Sequence, residues 1–283
     1  MPSIENKEDL RKLMRYYDDF WSANFDTIAQ EYGKPFLREK RCLISKLLDV
    51  GPKDVVLDLG CGNGLSLISA SKCRLLLSVD ISMVCLRPIK KLRGEVSFIN
   101  SIAENTALKP NSVDKIICAE LMEHVIDDVK VLREIHRILK PSGTVVFNIP
   151  NGYSFFYWPK RIVRLLLSRL KLKERYEEGQ TYWENIGEVA HLRRYSKKMF
   201  TSRLSNNGFT VNRCVGLFID NGNRFNALMK PLSNNFISYG IFTSISKLFP
   251  SMGRELIVVC KKTPGSKSVS GAKSNLCAAY PAS

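Results

Sequence analysis

Asp58 ends a run of apolar residues that begins at Val55, and Gly60, Gly62 and Gly64 follow it at alternate positions. Val55–Leu59 is rich in β-branched residues and shows no polar alternation, as expected for a strand buried on both faces. Glycine lets the backbone turn sharply and approach a ligand without Cβ interference. Leu65–Lys72 then reads as a helix whose free N–H groups and positive dipole end face the same space. Such a junction suits a ligand carrying an acidic group or rich in acceptors. A second apolar run, Leu75–Val79, ends at Asp80, about twenty residues after the glycines, where an acid in a dinucleotide-binding unit accepts both ribose hydroxyls. The third glycine of G-x-G-x-x-G is missing, which argues against nicotinamide and flavin. Downstream, Glu120, Glu123 and His124 are spaced i, i+3, i+4, which would place them on one face of a helical turn. Two carboxylates and an imidazole there could ligate a divalent ion. They could equally be a ligand contact, a helix-terminal charge and a packing histidine.

The elements that must position these groups alternate. Strands are expected at Val55–Leu59, Leu75–Val79, Val96–Ile99, Lys115–Ala119 and Thr144–Ile149, with two later ones at Thr210–Phe218 and Glu255–Cys260. Asp127–Leu139 has an apolar side of Val131, Leu132, Ile135, Ile138 and Leu139 and reads as a helix ended by Lys140-Pro141-Ser142-Gly143. His136 within it is expected at the surface or an edge. This alternation calls for a parallel sheet covered by helices. Residues 1–50 read as a helical cap, with Tyr16, Tyr17, Phe20, Trp21 and Phe25 crowded together, and Gly51-Pro52 breaks the pattern before the first strand.

The motifs resemble those of class I S-adenosylmethionine-dependent methyltransferases of the small-molecule type, similar to those of the ubiquinone and menaquinone pathways. That resemblance rests on Val56-Leu57-Asp58-Leu59-Gly60-Cys61-Gly62-Asn63-Gly64, Ala103-Glu104, Asp114–Glu120, Glu123-His124 and Leu139-Lys140-Pro141-Ser142-Gly143. It is dense over residues 50–150. It implies a Rossmann-like α/β fold: a seven-stranded mixed sheet of order 3-2-1-4-5-7-6, its last strand antiparallel, within residues 51–262. It implies S-adenosylmethionine as cofactor, with Asp58, Gly60, Cys61, Gly62 and Gly64 at the amino acid end. Asp80 and Ile81 would lie at the ribose, Ala103 and Glu104 at the adenine, and Glu120 at the lip shared with the substrate. The family commonly shows Gly-Asp-Ala-Glu where this chain has Ser101-Ile102-Ala103-Glu104, and Ile102 cannot accept the bond that the aspartate takes from adenine. Glu-x-x-Glu-His resembles ubiquinone-pathway O-methyltransferases, some of which use a divalent metal there. His191-Leu192-Arg193-Arg194-Tyr195-Ser196 is similar to a segment whose histidine lies near the transferred methyl. This makes His191 either the candidate general base or a structural histidine, with His124 a second catalytic candidate. Arg193 or Arg194 would meet an anionic group on the substrate or pair with glutamates.

Two stretches exceed a minimal version of that fold. Residues 153–190 carry an aromatic cluster leading into Lys160–Lys171, where basic and apolar residues fall on separate sides of a helix. That pattern suits either contact with an anionic membrane or a lid packed on its own domain. Residues 221–253 are rich in Phe, Ile, Leu and Met and would line a pocket for an apolar substrate or add a core layer. Residues 263–283, poor in residues to bury, are expected to be disordered.

The chain has 283 residues, 45% of them hydrophobic, enough for one large core. Its net charge of +16 is uneven: residues 1–54 balance ten Lys/Arg against ten Asp/Glu, residues 55–150 carry twelve against ten, and residues 151–283 carry twenty-one against seven. The excess therefore lies outside the cofactor half and points to an anionic partner. Nucleic acid is not the expected one, because the Asn-Pro-Pro-Tyr type of motif that base-amine methyltransferases need is missing after the fourth strand. A small apolar or lipid-linked acceptor, methylated at oxygen or carbon, is expected instead. Eight scattered cysteines without C-x-x-C spacing fit a reducing cytoplasm. No signal peptide is recognisable, and no apolar run reaches the ~18 residues of a spanning helix.

Overall fold

A computed structural model of the chain describes residues 7–31, 35–62, 64, 73–86, 96–154, 191–217 and 244–265. The helix expected at Leu65–Lys72, the basic helix at Lys160–Lys171, the tail from 266 on, residues 155–190 of the first long insertion and 221–243 of the second lie outside these residues. Two helices, α1 (Lys7–Glu31) and α2 (Pro35–Leu48), precede the sheet. Its strands are β1 (Val55–Leu59), β2 (Leu75–Asp80), β3 (Val96–Asn100), β4 (Val113–Ala119), β5 (Leu139–Pro150), β6 (Phe209–Leu217) and β7 (Glu255–Lys262). Helix α3 (Asp128–Ile138) lies between β4 and β5, and α4 (Lys197–Asn206) precedes β6.

The strand order is β3-β2-β1-β4-β5-β7-β6, and β7 runs antiparallel to both neighbours while the pairs from β3 to β5 are parallel. The chain winds outward from β1 to β3 and then returns to β4 on the other side of β1. The carboxyl tips of β1 and β4 therefore diverge at a topological switch point, where open α/β sheets bind their ligands.

Period-two alternation divides the core between the two faces. Leu57, Leu59, Ile116, Cys118, Val145 and Phe147 belong to one cluster with α3 and α4, while Val56, Leu76, Ile117, Val146 and Ile257 belong to another with Ile44 and Leu48 of α2. Phe147 anchors the first, its ring meeting Phe200 edge-on at 5.3 Å and Phe209 at 6.4 Å. Such pairs contribute about 1 kcal/mol each beyond the area they bury. Asp127 caps α3, its Oδ1 accepting from the Val129 and Lys130 N–H groups.

Two expectations change. The strand β5 starts directly at Leu139, which pairs with Val113, before the ladder resumes at Lys115 and Thr144. Lys140-Pro141-Ser142-Gly143 is thus an irregularity inside the strand, pinned by the Lys140 ammonium 2.8 Å from both Asp114 oxygens. His136 is buried rather than at the surface, its ring edge-on to Phe209 at 5.6 Å, and burial lowers its proton affinity. Among the described residues, no helix is long and apolar enough to cross a membrane.

Candidate active site

Asp58 is opposite Ser78 in the β1–β2 register, so Asp58, Ser78 and Asp80 share one face of the sheet. After Asp58 the chain turns at Gly60, with φ +71°, where an added Cβ would approach Leu121 Cδ1 to 2.7 Å. The Gly60 and Cys61 N–H groups both donate to Val79 O, at 2.8 and 3.1 Å, which ties the loop to the neighbouring strand. Gly62 is also left-handed, φ +48°, and an added Cβ would meet the Trp21 indole at 2.8 Å. Gly64 closes the turn by donating to Cys61 O at 2.8 Å.

Asp80 holds this loop. One carboxylate oxygen accepts from Gly62 N and the other from Ser82 N, each at 2.9 Å. Burial raises its pKa, and these two bonds oppose the rise. Asp58 is 1% exposed, and its Oδ2 and the Ser78 hydroxyl have no hydrogen-bond partner among the described residues. Burial, and next the charge of Asp80, push the Asp58 pKa up to about 8. The two acids thus lie on one face at adjacent strand tips, close enough for the charge of one to act on the other. The Cys61 thiol is buried beside them and held protonated, chiefly by burial.

The rim comes from β3 and from α1. The Asn100 side-chain amide donates to Asp80 O and Ile81 O, at 3.1 and 2.7 Å, fixing the backbone just past Asp80. Ala103 is buried, and burial raises the pKa of Glu104. Ile102 is half-buried, its carbonyl accepting from Asn105 N. Helix α1 closes over the loop: Asp18 Oδ1 accepts from the Ser82 hydroxyl at 2.6 Å and from Val84 N at 3.3 Å, and Trp21 covers Gly62. Burial raises the Tyr17 pKa, and Tyr16, Asp80, Glu104 and Glu123 add to the effect, so the phenol stands among the site's acids. The aromatic clustering of α1 was visible in the sequence. The Asp18 contact was not.

The tip of β4 is not the helical turn that its spacing suggests. Glu120 is left-handed, φ +52°, and its N–H continues the sheet by donating to Asn148 O. Its side chain turns to the Lys40 ammonium at 3.1 Å, and Lys40 also pairs with Glu255 at 3.0 Å. Asn148 donates to Glu255 at 3.0 Å. Burial drives the Glu255 pKa up to about 7, with Lys40 opposing and Glu120 assisting. Glu123, 1% exposed, has neither oxygen hydrogen-bonded to a described residue, and burial, then the Glu120 charge, raise its pKa well above the usual carboxylate range.

His191 meets this group from the far side of the sequence. Its ring and that of His124 lie 4.6 Å apart, edge-on, and His124 Nε2 is 3.8 Å from Glu123 Oε1. One donor atom each from Glu123, His124 and His191 falls within 4.8 Å of the others. Burial, and then the Arg194 charge, lower the His191 pKa to about 4, so its imidazole is neutral near pH 7. Arg193 is committed to the backbone carbonyls of Met122, Val125 and Ile126, whereas Arg194 is exposed. The predicted residues therefore gather into two groups. Asp58, the glycine loop, Asp80, Ile81, Ala103 and Glu104 form one. Glu123, His124 and His191 form the other, with Glu120 bridging toward Lys40.

Residues 57–147 match the family described as a methyltransferase domain. The chain is 26% identical to the uncharacterized protein MJ1252 of Methanocaldococcus jannaschii, over 76% of this chain and 86% of that protein. It is 32% identical to the ubiquinone biosynthesis O-methyltransferase of Xanthomonas campestris, though over only 34% of this chain and 43% of that enzyme. Its fold is similar to that of the Haloferax volcanii protein solved in complex with the Trm112 methyltransferase activator, with a TM-score of 0.59 at 18% identity over 87% and 98% of the two chains. A geranyl diphosphate C-methyltransferase from Streptomyces coelicolor shares it at a TM-score of 0.52 and 17% identity, over 80% and 79%. Residues 57–147 thus carry a methyltransferase domain of the class I S-adenosylmethionine-dependent type, and S-adenosylmethionine is its cofactor.

Proposed function

We propose that the enzyme methylates a hydroxyl of a lipophilic small molecule of quinone-like or lipid-linked character. The observation that carries this reading is the convergence of buried Glu123 with half-buried His124 and His191 at the carboxyl end of the sheet. Methyl transfer from a sulfonium needs the nucleophile held in line behind the methyl and relieved of its proton. His191 is neutral near pH 7 and so has a lone pair to offer the proton, although a value of about 4 makes it a weaker base than an ordinary imidazole. In this reading His191 is the base, His124 supports its ring, and Asp58 and Asp80 hold the amino acid and ribose ends of the cofactor. The naming of ubiquinone O-methyltransferases among the relatives supports an oxygen acceptor. Leu248, 75% exposed, and Phe249, 61% exposed, stand just before the start of β7, at the mouth end of the sheet. They support an apolar acceptor and contact with a lipid surface, as does the basic second half of the chain. Incubation with methyl-labelled cofactor and a lipid extract should place the label in a phenolic lipid. Label confined to RNA or protein would overturn this reading.

A second reading is favoured by the three converging donors. An imidazole pair with a buried carboxylate suits a divalent transition metal, which when bound would acidify an acceptor hydroxyl. Glu123, His124 and His191 would hold it, and Glu120, engaged by Lys40, would not. Calorimetric titration of chelator-treated protein with Co²⁺ decides between the two. Binding that His191→Ala abolishes and Glu120→Gln spares supports the metal, and no binding leaves His191 as the base.

A further inference from the structure

We infer that Arg193 is a positioning residue, a pin whose guanidinium sets the meeting of His124 with His191. The inference rests on the reading of that histidine pair as the reaction centre. The loop from Leu121 to Ile126 belongs to no helix or strand, yet it must present Glu123 and His124 at a fixed place. Three of its carbonyls converge on one side chain: Arg193 Nη1 donates to Met122 O at 3.2 Å and to Val125 O, and Nη2 donates to Ile126 O at 2.7 Å.

Arginine suits this task because its planar fork points several donors in fixed directions and stays charged. Lysine, a point charge on a flexible stem, would not reproduce the geometry. The same short segment ties the loop down on either side. Leu192 N donates to Glu123 O at 2.9 Å, and the Tyr195 hydroxyl donates to Asp128 Oδ2 at 2.7 Å, at the start of α3. His191 is two residues from Arg193, so a single segment delivers one histidine and fixes the loop that carries the other. The ring separation of 4.6 Å follows from that pairing of tasks. A displacement of ~1 Å at a reacting centre can cost about a hundredfold in rate, which is why such a pin matters.

The chain has only three histidines, so their imidazole proton and nitrogen signals can be resolved by NMR. The wild-type protein should show a nuclear Overhauser effect between the His124 and His191 rings. Arg193→Met should lose it, while calorimetry shows S-adenosylhomocysteine still binding within about twofold, since Asp58 and Asp80 are held by the β1–β2 pairing and by Gly62 N and Ser82 N rather than by Arg193. The buried His136 reports on the core and should keep its wild-type shifts. In Arg193→Ala, added guanidinium ion should restore the ring contact, which a merely structural defect would not allow. A contact that persists in Arg193→Met overturns the pin. Loss of cofactor binding together with a shifted His136 signal overturns it too, because the residue would then serve the whole fold. No ring contact in the wild type would instead defeat the reading of the histidine pair itself.

Discussion

Asp80→Ala is expected to weaken S-adenosylhomocysteine binding by about a hundredfold or more, measured by calorimetry near pH 7.5, because each hydrogen bond to a charged group contributes roughly 1.5–3 kcal/mol. In the proposed role the carboxylate accepts both ribose hydroxyls. It also organises the glycine loop, through Gly62 N and Ser82 N. Each carboxylate oxygen carries further lone pairs, so the two tasks are compatible. Removing the side chain strips two buried N–H groups of their acceptor. The free protein should therefore also lose stability, by roughly 1–3 kcal/mol per orphaned group before water relieves it. Asp80→Asn separates the effects. Its amide oxygen keeps one acceptor for the loop but offers only one to the ribose, so it should recover much of the stability and little of the affinity. Wild-type affinity in either variant would remove Asp80 from the cofactor site.

How much of this site could be read in advance depends on how far apart its parts lie in the chain. Asp58 and Asp80 were legible because each ends a continuous apolar run, and parallel strands buried on both faces bring such ends side by side. The strand order followed from the family resemblance, and the structure agrees with it. The spacing of Glu120, Glu123 and His124 misled, because periodicity cannot reveal that Glu120 adopts a left-handed conformation to keep its bond with Asn148. Lys40 was invisible for a related reason. Its partners are 80 and 215 residues away, and α2 presents it as one basic residue among several. His136 lies beside Arg137 on a helix whose apolar side is made by other residues, and Phe209, brought in by β6, packs against its ring. His191 was found by its motif. Its contact with His124 needs the bridge that pairs Asn151 with Tyr195 and the carbonyl contacts of Arg193, neither of which leaves a local trace.

Asp58→Asn should change stability and affinity in opposite directions. A carboxyl is ordinarily half-ionised near pH 3.9 when unfolded, whereas here burial and the Asp80 charge raise the folded value to about 8. The sign follows from the protons bound. Below pH 4 both states hold the proton and the group costs nothing. Between about pH 4 and about pH 8 the unfolded chain releases it while the folded one retains it, so stability falls as pH rises. Across that interval the loss is on the order of several kcal/mol. Asparagine has no proton to retain, and its amide can donate to the Ser78 hydroxyl, which lies opposite in the register and has no other described partner. The cofactor-free variant should therefore melt higher than wild type at pH 8, and the difference should shrink toward pH 5. Glu104, Glu123 and Glu255, also raised, contribute equally to both proteins and cancel in the comparison. Cofactor affinity should fall by about tenfold or more, since the amino acid end carries an ammonium group whose charge-assisted bond to a carboxylate is about twice as strong as a neutral one. A residue that costs stability when the pocket is empty and is needed when it is filled is expected of a binding site. Equal melting of the two proteins from pH 5 to pH 8, with cofactor affinity unchanged, would show Asp58 to be an ordinary core residue.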